Sequence, residues 1–393
     1  MNTSERPTPT RRSAIAVVAS AAIAATAIAA PVIAQDNIVI GYGAAVTGAL
    51  APYDSPDGVR CQVERANEAG GILGRQIDLV IRDMRSDSAL AGTVALELLD
   101  LGAVALLGPP TDDTIIPMAM LAAPRGVATL SVGGTQPAFP VAAPENGYLV
   151  PYGDNASAAA AAEFAYENGA RTAVLLVSHD VGSYSLMTPE YFAQAFERLG
   201  GTILGRINYN SGLSDYTPQI TEIRNMDEMP DIIFGGMIVP EAAVFPRQLA
   251  AAGLEIPVYG TDGHDDPGVL EIAGDAANLV KFTTHGFPSE GSPLAEFYSD
   301  CEDRGYTVQN IFFGLGGESI LVLKAAIEAA GSTDPAAINA ALKEIENLPG
   351  VTTDSITYKD MGGIPLKRMT MIEVIDGKFT PAQLVLPAFV PNP

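Results

Sequence analysis

Residues 36–83 of this 393-residue chain restrict its possible folds more than any other stretch. A short apolar run, Ile38-Val39-Ile40, enters a small-residue loop with Gly43, Thr47 and Gly48, passes through an amphipathic segment, and returns as an apolar run over residues 77–81. Such runs, joined by a helix-period segment, predict a β-loop-α-β unit, because parallel strands are buried on both faces and need a crossover helix. A right-handed crossover leaves the loop after the first strand at the carboxyl edge of the sheet, where open α/β sheets bind ligands. Residues 47–54 are therefore expected to touch whatever the protein recognises.

The alternation continues along the chain. Helices are expected over residues 88–101 and 114–123, and strands over 103–107 and 128–131, each strand ending in a Gly-containing loop, Gly108-Pro109-Pro110 and Gly133-Gly134-Thr135. After a break near residues 148–155, strands at 173–177, 202–209, 232–234 and 257–259 alternate with helices at 156–168, 189–199, 217–225 and 241–252. The last third holds a strand at 280–284, helices at 293–304, 314–330 and 335–345, and short strands at 355–358 and 370–375. That is too little sheet for a third lobe, so these elements complete the first two. The fold class read here is α/β, with two similar doubly wound lobes joined by a three-segment hinge. The first lobe is expected to take residues 36–152 plus 286–352, and the second 153–285 plus 353–393.

Residues 1–34 stand apart. Arg11 and Arg12 precede an apolar run over residues 13–30, and small residues follow up to Ala34, which is the layout of a secretory signal. Cleavage is expected near Ala34, by either the general or the twin-arginine route, placing a mature chain without a transmembrane anchor in the periplasm. Removing these residues, with their three Arg and one Glu, takes the net charge from −24 to −26. So acidic a surface repels nucleic acid and anionic lipid. Cys61 and Cys301 are the two cysteines; export permits a disulfide between them, and whether it forms is left open.

No nucleophile elbow, phosphate-binding loop or complete dinucleotide fingerprint occurs, so neither an enzyme nor a bound cofactor is expected. The segment Thr261-Asp262-Gly263-His264-Asp265-Asp266 lacks a spacing typical of zinc or of a calcium loop, so no metal is assigned to it.

Several motifs in order carry a resemblance across essentially the whole mature chain. Asn67-Glu68-Ala69-Gly70-Gly71-Ile72, then Gly74-Arg75 and Asp83, is the most specific, and Gly70 and Gly71 are expected to close a helix in a left-handed conformation. Thr47-Gly48, Gly108-Pro109, residues 131–135, His179-Asp180 with Tyr184, Phe234-Gly235-Gly236 and residues 272–277 extend it. The sequence resembles the type I periplasmic solute-binding proteins of ABC importers, in the family that binds branched-chain amino acids, other amino acids and amides. The resemblance implies a monomer that captures a small polar solute between its lobes and delivers it to a membrane permease. A ligand-presenting sensor for a chemoreceptor or kinase, and an exported enzyme on the same fold, are the alternatives.

The same resemblance places the ligand shell. Tyr53 falls where an aromatic closes over the ligand, Asp112 where amino-acid binders hold the α-carboxylate with a serine, and Gly133 and Thr135 where a carbonyl and a hydroxyl meet the α-ammonium. Tyr184 matches a second-lobe tyrosine, Met237 a position often aromatic, and Asp262 the acid that meets the ammonium on closure. Asp112 departs from the pattern, because a buried carboxylate repels a ligand carboxylate or must take a proton. With Asp112 and Asp262 both in the cleft, an amine or amide is favoured over plain leucine; a one-residue slip to Thr111, Asp113 or Thr114 leaves the conventional alternative. Asp112 and Asp113 also suit helix capping, and Met237 core packing.

Overall fold

The computed structural model describes residues 1–6, 8, 36–179 and 182–393; the expected signal run and its cleavage point lie outside them, as does Asp180. The opening unit forms as expected. β1 (Ile38–Ala44) pairs in parallel with β2 (Ile77–Asp83), and the helix Pro56–Glu68 crosses between them. Its start is set by Ser55, whose hydroxyl accepts the Gly58 N–H at 3.3 Å, and by Pro56, whose missing N–H is harmless in the first turn. Its end is set by Gly70 and Gly71, at φ of 103° and 76°. A Cβ on Gly71 would fall 1.9 Å from the Arg75 carbonyl oxygen, so no other residue fits this return into β2.

The first sheet adds β3 (Ala105–Gly108), β4 (Ala128–Ser131) and β5 (Gly147–Leu149), giving the all-parallel order β2-β1-β3-β4-β5. The second contains β6 (Thr172–Val177), β7 (Thr202–Asn208), β8 (Ile232–Gly235), β9 (Val258–Gly260), β10 (Val280–Thr284), β11 (Met369–Ile375) and β12 (Lys378–Val385). Its order is β12-β11-β10-β9-β8-β6-β7, parallel except that β11 runs antiparallel to both its neighbours. The helices Pro293–Asp303, Ile311–Ala330 and Pro335–Lys343 bury Phe297, Leu323 and Ile338 in the core of the first sheet. The chain thus leaves the first core after β5, returns after β10 and leaves again before β11.

Three expectations need correction. Residues 355–358 form only isolated bridges, Leu348 with Ile356 and Thr357 with Leu366, because Ile356 and Tyr358 are committed to the first core and the Tyr358 hydroxyl is held by the Leu149 carbonyl at 2.6 Å. β5 was not expected, since its three residues are too few to show a period. β12 was missed although Asp376-Gly377, at φ of 51° and 70°, is a hairpin signal; Pro381 interrupts the strand pattern and sits where the β11–β12 register shifts.

Two buried devices bind distant segments. Cys61 and Cys301, both fully buried, are joined as a disulfide with Cα atoms 5.9 Å apart, linking the first crossover helix to the helix Pro293–Asp303. A bridge closing so long a loop limits the unfolded ensemble, so a Cys61→Ala/Cys301→Ala chain is expected to lose about 2–4 kcal/mol. Urea unfolding checks it, and an unchanged midpoint refutes it. The second device is Lys367, whose ammonium donates to the Glu318 carboxylate, to the Val150 carbonyl at 3.2 Å and to the Thr352 hydroxyl at 3.1 Å. Glu318 also accepts the Thr352 N–H and hydroxyl, each at 2.8 Å. Val150 and Thr352 flank crossings of the chain, so one ion pair gathers the hinge segments.

Candidate functional site

Both sheets reverse winding direction beside their first strand, β1 against β3 and β6 against β8, and the loops at these switch points face each other. Between them lies a small cleft lined from both sides. Leu50 and Tyr53 come from the loop after β1, Pro110 and Thr111 from that after β3, and Gly133, Thr135 and Gln136 from that after β4. Tyr184, Ile238 and Asp262 follow β6, β8 and β9, and Phe312 enters from the helix Ile311–Ala330. A larger groove lies near Gly286, Thr353 and Leu384, but its Asp354 is already paired with Arg368 at 3.5 Å.

Local chemistry fixes the walls. Asp83 takes the Thr47 hydroxyl at 2.8 Å and its N–H at 3.2 Å, so Thr47 shapes the loop and does not face the cleft. Asp54 takes the Tyr42 hydroxyl, the Ala45 N–H at 2.7 Å and the Ser55 N–H at 3.0 Å, which directs Tyr53 inward. The Tyr53 ring meets Phe312 edge-on, with centroids 5.5 Å apart, and its hydroxyl accepts the Val239 N–H at 2.9 Å from the opposite side of the cleft. Gly133 is obligatory for packing, because a Cβ there would lie 1.9 Å from the Tyr53 carbonyl oxygen. The Tyr184 hydroxyl is pinned by Thr261 at 2.7 Å and by the Gly263 N–H at 3.0 Å.

Tyr53, Gly133, Thr135, Tyr184 and Asp262 thus come together. Asp112 and Met237 do not line the cleft. Met237 is fully buried in the core of the second sheet. Thr111 takes the wall position beside Asp112, and the Asp112 carboxylate instead accepts the Ser183 hydroxyl at 2.5 Å, bridging the two sides. Asp112 and Asp113 are not caps either: both lie in the first turn of the helix Asp112–Ala122, and Thr111 precedes it without a side-chain bond to the helix N–H groups. Burial pushes the Asp112 carboxyl up to about 6, against the pull of the Ser183 hydroxyl.

Asp262 is the one acidic side chain among the residues lining the cleft. It is only 3% exposed, its Oδ2 lies 3.4 Å from His285 Nε2, and its Oδ1 has no partner among the described residues. Burial lowers the pKa of His285, so the imidazole is neutral and does not cancel the carboxylate. At 3.4 Å the contact is longer than a well-formed hydrogen bond, so Oδ1 and much of the charge await a donor.

Pro110, Gln136, Ile238 and Phe312 were missed by sequence reasoning, whereas Leu50 lies in the loop expected to touch the ligand and Thr111 is the one-residue alternative named for Asp112. Pro110 and Thr111 stood in an expected cleft loop; Phe312 lies within an apolar helix run and carried no signal.

The sequence profile of the periplasmic binding protein family matches residues 37–378, and the chain belongs to that family. A Leu/Ile/Val-binding protein homolog 1 of Brucella abortus is 26% identical over 87% of this chain and 92% of its own length. Among solved structures, the leucine binding protein LivK of Thermotoga maritima has a TM-score of 0.79 at 26% identity, covering 89% of this chain and 99% of that one. A solute binding protein of an ABC transporter from R. palustris, solved with benzoate, shares the fold at a TM-score of 0.76 and 20% identity, covering 90% of this chain and 98% of its own. The protein is a type I solute-binding protein of the branched-chain amino acid family and not an enzyme. Among the described residues no helix is long and apolar enough to cross a membrane.

The Asp112–Ser183 bond joins the two sides of the cleft protein to protein, so it contributes to closure directly. A partly exposed bond of this kind is worth about 1 kcal/mol, and Ser183→Ala is expected to raise the Kd of the bound solute about fivefold by favouring the open state. Calorimetric titration reads this, and an unchanged Kd refutes it.

Proposed function

We propose that the chain is the extracytoplasmic receptor of an ABC-type importer, exported with cleavage near Ala34, that captures a small solute bearing an amino or amide group and hands it to a membrane permease. The observation that carries this reading is the buried Asp262 Oδ1, unpartnered in a cleft whose other walls are apolar or neutral. Leu50, Pro110, Ile238 and Phe312 suit an apolar skeleton, and Asp262 with the Thr135 hydroxyl suits its nitrogen. The names of the Brucella and Thermotoga proteins favour amino acids, while the benzoate bound by the R. palustris protein marks how far ligands range on this fold. Two bodies, residues 36–152 with 286–352 and residues 153–285 with 353–393, would close as ligand contacts on both sides shift the population.

The test is a thermal-shift screen of the mature chain, unfolded and refolded to strip carried-over solute, against amino acids, amides, amines and aromatic or aliphatic acids. A ligand at 100 times its Kd stabilises by about 2.7 kcal/mol, an easily read shift. Shifts from nitrogen-bearing solutes are expected; shifts from none of them would overturn the reading.

A further inference from the structure

The hydroxyl proton of the wall residue Thr111 can be placed from its surroundings. Thr111 lines the cleft just before the helix Asp112–Ala122, and Thr114 stands behind it, 2% exposed and not part of the wall. The Thr114 hydroxyl oxygen lies 2.7 Å from the Thr111 carbonyl oxygen and 2.8 Å from the Thr111 hydroxyl oxygen, both separations typical of hydrogen-bonded oxygens. A carbonyl has no hydrogen to give, so the single Thr114 hydrogen goes to it. The Thr111 hydrogen then fills the other contact, donated to Thr114 Oγ1. What Thr111 has left to offer a solute is lone pairs. We propose that Thr114 sets Thr111 as an acceptor-only residue, so that the solute group held at this wall is a donor, the NH2 of a carboxamide, and not a carboxylate or an ester. This deepens the receptor reading and rests on the cleft being the solute site.

The rest of the wall agrees. The Tyr53 hydroxyl accepts the Val239 N–H at 2.9 Å, which leaves its own hydrogen for an acceptor on the solute. A carboxamide carries both kinds of group, N–H for Thr111 and C=O for Tyr53. A carboxylate carries acceptors alone. Placed beside Thr111, it either sets lone pairs against lone pairs or turns the Thr111 hydrogen away from Thr114, and either outcome costs binding. No Lys or Arg is among the residues lining the cleft to compensate. The amino end of the helix Asp112–Ala122 does not compensate either, because Asp112 and Asp113 occupy its first turn and offset its partial positive charge. Thr114 is therefore a positioning residue, acting on the solute through Thr111.

The experiment is calorimetric titration of the refolded mature chain with leucinamide, leucine methyl ester and leucine, and with the three phenylalanine counterparts, at a pH where every amine is protonated. The ester matches the amide in charge and differs in lacking the N–H donor. The amide is expected to bind about tenfold tighter than its ester or acid. Thr114→Val keeps the side-chain shape and frees the Thr111 hydrogen, so the acid is expected to bind about fivefold tighter than it does to the parent, with the amide within about twofold. Thr114→Ser is expected to keep the parent order. Thr111→Val removes the acceptor itself and is expected to bring the amide down to the level of its ester, which decides the matter should Thr114→Val fail to fold. An ester that binds the parent as tightly as its amide overturns the inference and leaves the receptor reading standing. So does a Thr114→Val chain that shifts amide and acid alike, as a merely structural loss would. If no amide of the series binds, the inference falls; if in addition no nitrogen-bearing solute shifts the melting temperature, the receptor reading falls with it.

Discussion

Asp262→Ala is expected to weaken ligand binding by about 2–5 kcal/mol, roughly thirtyfold to several thousandfold, and to abolish ligand-driven closure. The carboxylate is buried at the wall with one oxygen unpartnered, so a ligand donor placed there makes a charge-assisted bond in a dry setting. Removing it takes away the contact through which the β9 loop senses occupancy, while Tyr53, Gly133 and Thr135 can still hold a ligand from the other side. Folding is not expected to suffer. The substitution deletes a buried acid whose neighbour His285 is neutral, so the melting temperature without ligand should stay level or rise. Calorimetry gives the affinity, and small-angle scattering with and without ligand gives closure. Unchanged affinity would remove Asp262 from the ligand shell.

Breaking the Lys367–Glu318 pair has the opposite signature. Both side chains are fully buried, and the ammonium also holds the Val150 carbonyl and the Thr352 hydroxyl. Glu318→Ala leaves a buried ammonium facing one carbonyl and one hydroxyl, and Lys367→Met leaves a buried carboxylate facing only the Thr352 donors. Each is expected to cost about 3–5 kcal/mol, because the surviving charge keeps its desolvation penalty and loses its partner. Combining Glu318→Leu with Lys367→Met should recover most of that loss, since neither charge then needs hydration. Chemical denaturation of the three chains checks the pattern. Single variants within 1 kcal/mol of the parent would show that water reaches the pair. Because the pair joins segments on either side of the chain crossings, the single variants should also lower affinity through a looser hinge, whereas Asp262→Ala lowers affinity alone.

The two lobes and the edge on which the cleft opens were legible because they follow from local pattern. Ile38-Val39-Ile40, the amphipathic helix and the Gly70-Gly71 stop each state their conformation within a few residues. The loop after β1 was placed on the ligand edge by handedness alone, and Leu50 and Tyr53 do line the cleft. The positional reading failed where one residue of phase decides what a side chain faces. Thr111 and Asp112 are neighbours at a helix start, where successive side chains point about a hundred degrees apart. One lines the cleft and the other reaches Ser183. Met237 went astray because a buried core position and a buried cleft position demand the same residue type.

By itself, then, the sequence determined the β/α alternation, the Gly70-Gly71 helix stop and the loops that gather at the sheet edge, since each depends on residues near one another in the chain. The tertiary structure alone decided the Cys61–Cys301 bridge, the Lys367–Glu318 pair and the approach of Phe312 to Tyr53. These contacts join segments tens to hundreds of residues apart, and no local period records which distant side chain will arrive. Only packing, through the burial that strips water from those groups, turns ordinary acids, cysteines and aromatics into a site.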